Sequence, residues 1–478
     1  MIKNLVLKYK KIPVQAKASI WYTICSFFQK GISFIVVPIY IRLLTTGEYG
    51  EWNIFQSWRD ILIVLASLNL YAGVYTKTLV DNKNDKERYT SSMQGLGTLI
   101  TLVLFLLYFP FKRWINPTIG LDTKYMLLLF LYFIVYPAFS FWGTRQRVEY
   151  KYKSMVIVTA IVSILTPALS LALFYTTELR ELALILGFLV VQCCIGLIFY
   201  VLHFIRGKCF FDKSYWKYAL KFNVPLIPHY LSLIVLGQSD KIMIKHYCGE
   251  NDAGIYSFPY QIASAISILI AAINGSRVPW MYEQLKGKIY NKIGNITNSL
   301  VLLLGGIVLF ISLLAPEIML IGTVEYKEAV YVIPVVTIGV FFTFIYDLYA
   351  SIEFYYASTK YVMYASLTGA ILNIFFNAVF LPIFGYIAAA YTTLFCYFVF
   401  MFMHFIFAKK VLKAQGITVP IYNNKLIFLL SFLVVIIGLG CMITYSFLAV
   451  RIVLIVFILI LAFIFRNKII NLLKSIKK

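Results

Sequence analysis

The chain has 478 residues, 61% of them hydrophobic and 13% charged, against roughly 45–50% apolar and about 25% charged in soluble domains. Its 43 Lys and Arg outnumber 20 Asp and Glu, leaving +23. A soluble globule is excluded. The basic residues sit mainly in short segments between apolar stretches, which predicts membrane orientation and contact with anionic lipids, not a nucleic-acid partner.

Lys3, Lys8, Lys10 and Lys11 precede an apolar stretch over 18–41. It is too long for the core of a cleavable signal and reads as a first membrane helix. Spans of about twenty apolar residues follow near 53–75, 93–111, 125–144, 154–176 and 182–205. A second series falls near 222–247, 254–275, 293–320, 330–356, 361–382 and 385–408, and a last pair near 425–448 and 450–466. The expected fold is an all-α integral membrane bundle of about fourteen transmembrane helices, two six-helix lobes plus a C-terminal pair. The lobes are expected over 1–208 and 209–410, and 411–478 holds helices 13–14 and a basic cytoplasmic tail.

With the N-terminus in the cytoplasm, the inside segments collect 31 Lys and Arg and the outside loops eight. That asymmetry supports the helix count and puts both termini inside. The longest loops, near 76–92, 206–221 and 276–292, leave no room for a catalytic domain outside the membrane. A weak repeat of about 204 residues relates the first six helices to the next six. Glu48, Tyr49, Gly50 and Trp52 correspond to Asp252, Ala253, Gly254 and Tyr256.

An ionisable residue at a helix centre costs roughly 2.5–3.5 kcal/mol on insertion scales, so each is expected to face a partner or a watery cavity. Lys30 lies mid-span without an acid on its own helix, and is the candidate for binding anionic substrate. Arg59 and Asp60 share the second span, and Asp240 and Lys241 the seventh. Sequence neighbours point about 100° apart on a helix, so pairing across the lobes, Arg59 with Asp240 or Asp60 with Lys241, is expected either to gate the outer side or to hold the fold together as fixed ion pairs. Asp347 and Glu353, among the aromatics of the tenth span, are candidates for gating or ion coupling and for stacking on sugar rings.

The seven cysteines form no CxxC pair, and His203, His229, His246 and His404 are scattered. No metal or other cofactor is expected. With no GxSxG, no Walker A lysine and no ATP-binding domain, neither is an enzyme.

Two stretches carry a resemblance: PIYIRLLTTGEYGEW over Pro38–Trp52 and SDKIMIKHYCGENDAGIYSFPYQI over Ser239–Ile262. With the length and helix count, they resemble the Wzx-like polysaccharide repeat-unit flippases of the multidrug/oligosaccharidyl-lipid/polysaccharide exporter superfamily. The resemblance implies two lobes around a cation-lined cavity that carry undecaprenyl-pyrophosphate-linked oligosaccharide across the bacterial inner membrane by alternating access. It makes Lys30, with Arg59 or Lys241, the expected substrate contacts, while their own positions within the spans leave Asp60, Asp240, Asp347 and Glu353 as the gating or ion-coupling set. The expected partners are the lipid-linked oligosaccharide, a proton or sodium ion, membrane lipids, and polysaccharide polymerase and chain-length proteins. A drug exporter of the same fold and a membrane polymerase or ligase are the alternatives.

Overall fold

The computed structural model describes residues 14–81, 85–178, 180–468 and 470. The basic N-terminal lysines Lys3 to Lys11 and the tail beyond 470 lie outside the described residues. Every regular element among the described residues is helical. Among the described residues twelve helices are long and apolar enough to cross a membrane, and the chain is an all-α, multi-pass membrane protein.

In chain order the expected spans correspond to α1 Val14–Leu43, α2 Thr46–Ser67, α3 Lys86–Ile119, α4 Thr123–Val148, α5 Tyr152–Thr176, α6 Arg180–Gly207 and α7 Ile227–Cys248. Next comes α8, built from abutting helices Glu250–Ser264 and Ile266–Lys286. Then follow α9 Tyr290–Leu313, α10 Val332–Tyr355, α11 Thr359–Phe384, α12 Ile387–Ala414, α13 Asn424–Gly440 and α14 Leu448–Ile464. Two fall short of the apolar-span criterion. Helix α2 carries Glu48, Glu51, Arg59 and Asp60, and α14 has 17 residues.

Several connections expected as loops are built structure. The second span ends at Ser67, not near 75. Leu68 and Asn69 take left-handed backbone angles, and Asn223 Nδ2 donates to the Leu68 carbonyl at 3.1 Å, satisfying one orphan acceptor at the helix end. The segment near 206–221 contains an amphipathic helix, Lys213–Asn223, capped by Asp212, whose Oδ1 accepts from the Ser214 and Tyr215 amides. Trp216 on it donates its indole N–H to the Ser92 carbonyl at 2.9 Å. The segment near 276–292 continues α8 as far as Lys286.

The chain divides into two compact units, 1–39 with 51–234, and 40–50 with 235–478. The first has an aromatic core around Tyr75, Tyr89, Met93 and Phe141. In the second, α10 is buried along most of its length, consistent with a central helix whose apolar side chains have neighbours on every side.

Residues 40–50 belong by sequence to the first repeat, yet they pack within the second unit. The reason is a close backbone crossing of small residues. A Cβ on Gly50 would lie 2.2 Å from the Glu250 carbonyl oxygen, and one on Gly254 would lie 1.9 Å from that of Thr46. Thr46 and Glu250, like Gly50 and Gly254, are 204 positions apart, so the crossing maps onto itself under the repeat. Thr46 Oγ1 donates to Asn251 Oδ1 at 3.1 Å, Tyr49 donates to Gln261 Oε1 at 2.8 Å, and Arg42 Nε donates to the Ile321 carbonyl at 3.1 Å. Only glycine permits this approach, as in small-residue contacts between membrane helices generally.

Candidate functional site

In the first unit, Lys30 lies near the middle of α1 with its side chain exposed. Thr23, Ser26, Gln29, Lys30 and Ser33 are all exposed and share an arc of about 120° on the helix. Ile24, Phe28, Ile35 and Ile39 are exposed on the other side. An apolar stripe suits hydrocarbon, whereas a polar stripe around an ammonium group needs water or a polar ligand. Lys30 makes no ion pair among the described residues, so its charge is available to such a ligand.

Arg59 and Asp60 do not behave as expected. They bond each other, with Arg59 Nε and Nη2 at 2.9 and 2.6 Å from Asp60 Oδ1. The 100° offset holds for the Cβ directions, but the long arginine side chain swings sideways along the helix and closes the gap. The guanidinium also lies over the Phe188 ring at 4.7 Å and donates to Gln56 at 3.4 Å. Arg59 is therefore engaged within its own unit.

In the second unit, Asp240 on α7 is 1% exposed and takes four hydrogen bonds from three other helices. Asn373 and Asn377 of α11 donate to Oδ1 at 3.2 and 2.8 Å. Thr393 of α12 and Tyr256 of α8 donate to Oδ2 at 2.7 and 3.0 Å. Ser239 donates to Asn373 Oδ1 at 2.5 Å, and Thr392 donates to Asn377 Oδ1. Both carboxylate oxygens are thus held by partners within this unit. Lys241 points elsewhere, its ammonium 5.4 Å from the Tyr260 ring centre. The nest surrounds one buried carboxylate with amide N–H and hydroxyl donors, which satisfy its charge; a proton or a small cation arriving at Asp240 would have to displace one of these donors. Among the described residues no group of three or more His, Cys, Asp or Glu is placed to hold a metal.

A second polar network spans α8, α10 and α12. Asn274 Nδ2 donates to Asp347 Oδ2 at 2.8 Å, and its Oδ1 accepts from Arg277 Nε at 2.9 Å. Arg277, expected in a loop, is 1% exposed inside the unit, and its guanidinium also reaches Ser351 Oγ at 3.1 Å. Roughly 9 Å along α10, Glu353 meets His404 Nδ1 at 2.9 Å with both side chains fully buried. Glu353 Oε2 and His404 Nε2 have no hydrogen-bond partner among the described residues.

Of the aromatic residues around these acids, Phe344 and Tyr349 are buried, Tyr349 with its hydroxyl on Asn424, and Tyr346 is half-buried and packs on Phe400 and His404, whereas Tyr355 and Tyr356 are half-buried and Phe354 is exposed. Glu353→Ala is expected to destabilise the chain by about 3 kcal/mol, from an unpaired buried imidazole and a cavity. Glu353→Gln keeps an acceptor for Nδ1 and is expected to cost under about half of that. Thermal unfolding in detergent would check both values.

Sequence reasoning missed Asn373, Asn377, Thr393, Arg277 and His404. Two asparagines four apart in an apolar span lie on one helix face, and that was the available signal for the Asp240 nest. His404 and Arg277 gave none, since their partners are far away in the chain.

Known proteins resemble the chain at two levels. A sequence family described as polysaccharide biosynthesis protein matches residues 16–285. A protein of the Lsg locus of Haemophilus influenzae is 25% identical over 285 residues, 57% of this chain and 67% of that protein. Among solved structures, the lipid II flippase MurJ in an inward closed conformation aligns with a TM-score of 0.69 at 14% identity, covering 94% of this chain and all of that one. An inward-facing multidrug resistance MATE transporter of the MOP superfamily aligns with a TM-score of 0.62 at 12% identity, covering 82% and 96%. At those identities the structural matches establish the fold, that of flippases and transporters.

Proposed function

The chain belongs to the polysaccharide biosynthesis protein family of membrane proteins, and from that membership we propose that it flips undecaprenyl-pyrophosphate-linked oligosaccharide repeat units across the bacterial inner membrane. The movement is alternating access with both termini in the cytoplasm, coupled to a proton or sodium ion, with no catalytic step. The flipped units pass to the polymerase and chain-length proteins of surface polysaccharide assembly.

The observation that carries this reading is Lys30 in an exposed polar stripe of a membrane helix. A pyrophosphate and sugars lose their hydration in hydrocarbon, at a cost of several kcal/mol for each unsatisfied group. The ammonium of Lys30 and the hydroxyls of Thr23, Ser26 and Ser33 replace that hydration while the polyprenyl tail stays in lipid. A cationic drug would be repelled by the same lysine. Arg59 contributes through its pair with Asp60, as an overall neutral, hydrogen-bonding surface, and Lys241 as a second cation. Asp240, with Asn373, Asn377 and Thr393, is the ion-coupling site, and Asp347 and Glu353 are second-rank candidates for the same task.

Lys30→Ala is expected to lower translocation of a pyrophosphate-linked oligosaccharide at least tenfold, while Lys30→Arg retains a substantial part. Leaflet-exchange rates in proteoliposomes would read this, and parent-level rates in both variants would remove Lys30 from the site.

A further inference from the structure

We infer that a small basic pocket in the first unit binds the phosphate group of an anionic membrane phospholipid. The pocket lies where α4 and α6 end and has a volume of about 120 Å3. Trp142, Phe199 and Leu202 form its apolar side, and Arg145, Lys151 and Arg206 its basic side. Trp142 and Phe199 stack with centroids 4.4 Å apart.

The wall is fixed before any ligand arrives. His203, 5% exposed, lines the pocket and meets Gln94 Oε1 through Nδ1 at 2.8 Å. Gln94 Nε2 donates to the Tyr200 carbonyl at 3.0 Å, so the glutamine oxygen must face the ring and Nδ1 must carry the hydrogen.

The charges around the pocket do not cancel. Arg145 bonds Glu87 at 2.8 Å and Glu149 at 3.0 Å, and Glu149 also takes Lys151 at 2.6 Å and Lys86 at 3.5 Å. Burial alone would raise the Glu149 carboxyl, but the bonds from Lys151 and Arg145 outweigh it and bring it down to about 2. Both acids are therefore committed, and the four cations Lys86, Arg145, Lys151 and Arg206 exceed them by two. Arg206 is exposed and makes no ion pair among the described residues, so the surplus falls at the mouth of the pocket.

At about 120 Å3 the pocket has room for a phosphate group, and the cations Arg145, Lys151 and Arg206 on its basic side suit an anionic one; the prenyl pyrophosphate arm of the test below separates a phospholipid from a cargo headgroup. A free phosphate would gain nothing from the Trp142–Phe199 wall, whereas a phospholipid places its phosphate on the cations and the start of its chains on the rings. Aromatic rings beside Arg and Lys at helix ends are the usual furniture of the membrane–water interface, and basic pockets between membrane helices hold anionic headgroups.

The test titrates the purified full-length protein in neutral detergent with phosphatidylglycerol, phosphatidylcholine of the same chains, inorganic phosphate, or a prenyl pyrophosphate. Bound lipid is counted by native mass spectrometry, and thermal stability is followed. Phosphatidylglycerol is expected to bind saturably and raise the melting temperature, with phosphatidylcholine and inorganic phosphate ineffective. Arg206→Gln and Lys151→Gln are expected to raise the half-saturating concentration tenfold or more. Arg113→Gln, roughly 40 Å along α3 from Lys86, is expected to titrate like the parent. Equal binding of phosphatidylcholine, parent-like titration of both pocket variants, saturation by inorganic phosphate alone, or displacement of phosphatidylglycerol by lower concentrations of the prenyl pyrophosphate would each overturn the assignment.

Discussion

Gly254→Ala is expected to destabilise the protein by about 2–3 kcal/mol, the upper part of the usual range for overpacking. The added methyl would sit 1.9 Å from the Thr46 carbonyl oxygen, a rigid backbone atom, so the two helices must part. Gly50→Ala meets the Glu250 carbonyl at 2.2 Å and is expected to cost a similar amount. Because both variants force open one crossing, the double variant is expected to cost clearly less than the sum of the singles. Gly306, on α9 in the same unit, has open space around its Cβ position. Gly306→Ala is expected to be neutral or slightly stabilising through helix propensity. Unfolding curves of the four variants would decide. Additive costs at Gly50 and Gly254 would mean that they do not share one contact.

The second large effect falls on Asp240. Removing the carboxylate with Asp240→Ala strands donors from Asn373, Asn377, Thr393 and Tyr256 in a buried site, at about 1–3 kcal/mol for each group left unsatisfied. Relaxation should hold the total to about 3–5 kcal/mol, the range for breaking a buried charged site. Asp240→Asn keeps the shape and one carbonyl acceptor, so it is expected to fold with under about half of that loss. If Asp240 holds the coupling ion, the asparagine variant still loses the negative charge that binds it, and the response of transport to an ion gradient should fall tenfold or more. Comparing folding with gradient response in this one variant separates the two roles. A folded Asp240→Asn protein with a parent-like gradient response would make Asp240 purely structural.

The membrane helices were legible because twenty consecutive apolar residues have few other uses, and all fourteen expected spans recur as helices. Their ends were less legible. Val74–Asp81 and Lys213–Asn223 are polar enough to read as loop, and they fold because Tyr75 and Trp216 pack on the tertiary core. The repeat was visible only as scattered matches around Gly50 and Gly254, and the crossing shows what those matches do.

At the candidate site, single charges such as Lys30 and Asp240 stood out against apolar sequence, but their partners did not. The Asp240 nest is made of neutral amides and hydroxyls that leave no charge signature. The Arg59–Asp60 pair depends on side-chain reach, which helix geometry alone does not report. His404 looked isolated because Glu353 is 51 positions away in the chain and only the packing of α10 on α12 brings them together.

The most direct test of flipping is reconstitution of the purified chain in vesicles holding a fluorescent undecaprenyl-pyrophosphate-linked oligosaccharide, following its appearance in the opposite leaflet with and without a proton or sodium gradient. The account predicts movement that one of the gradients accelerates and that Lys30→Ala removes. No movement under either gradient, with the lipid instead elongated or cleaved, would contradict it.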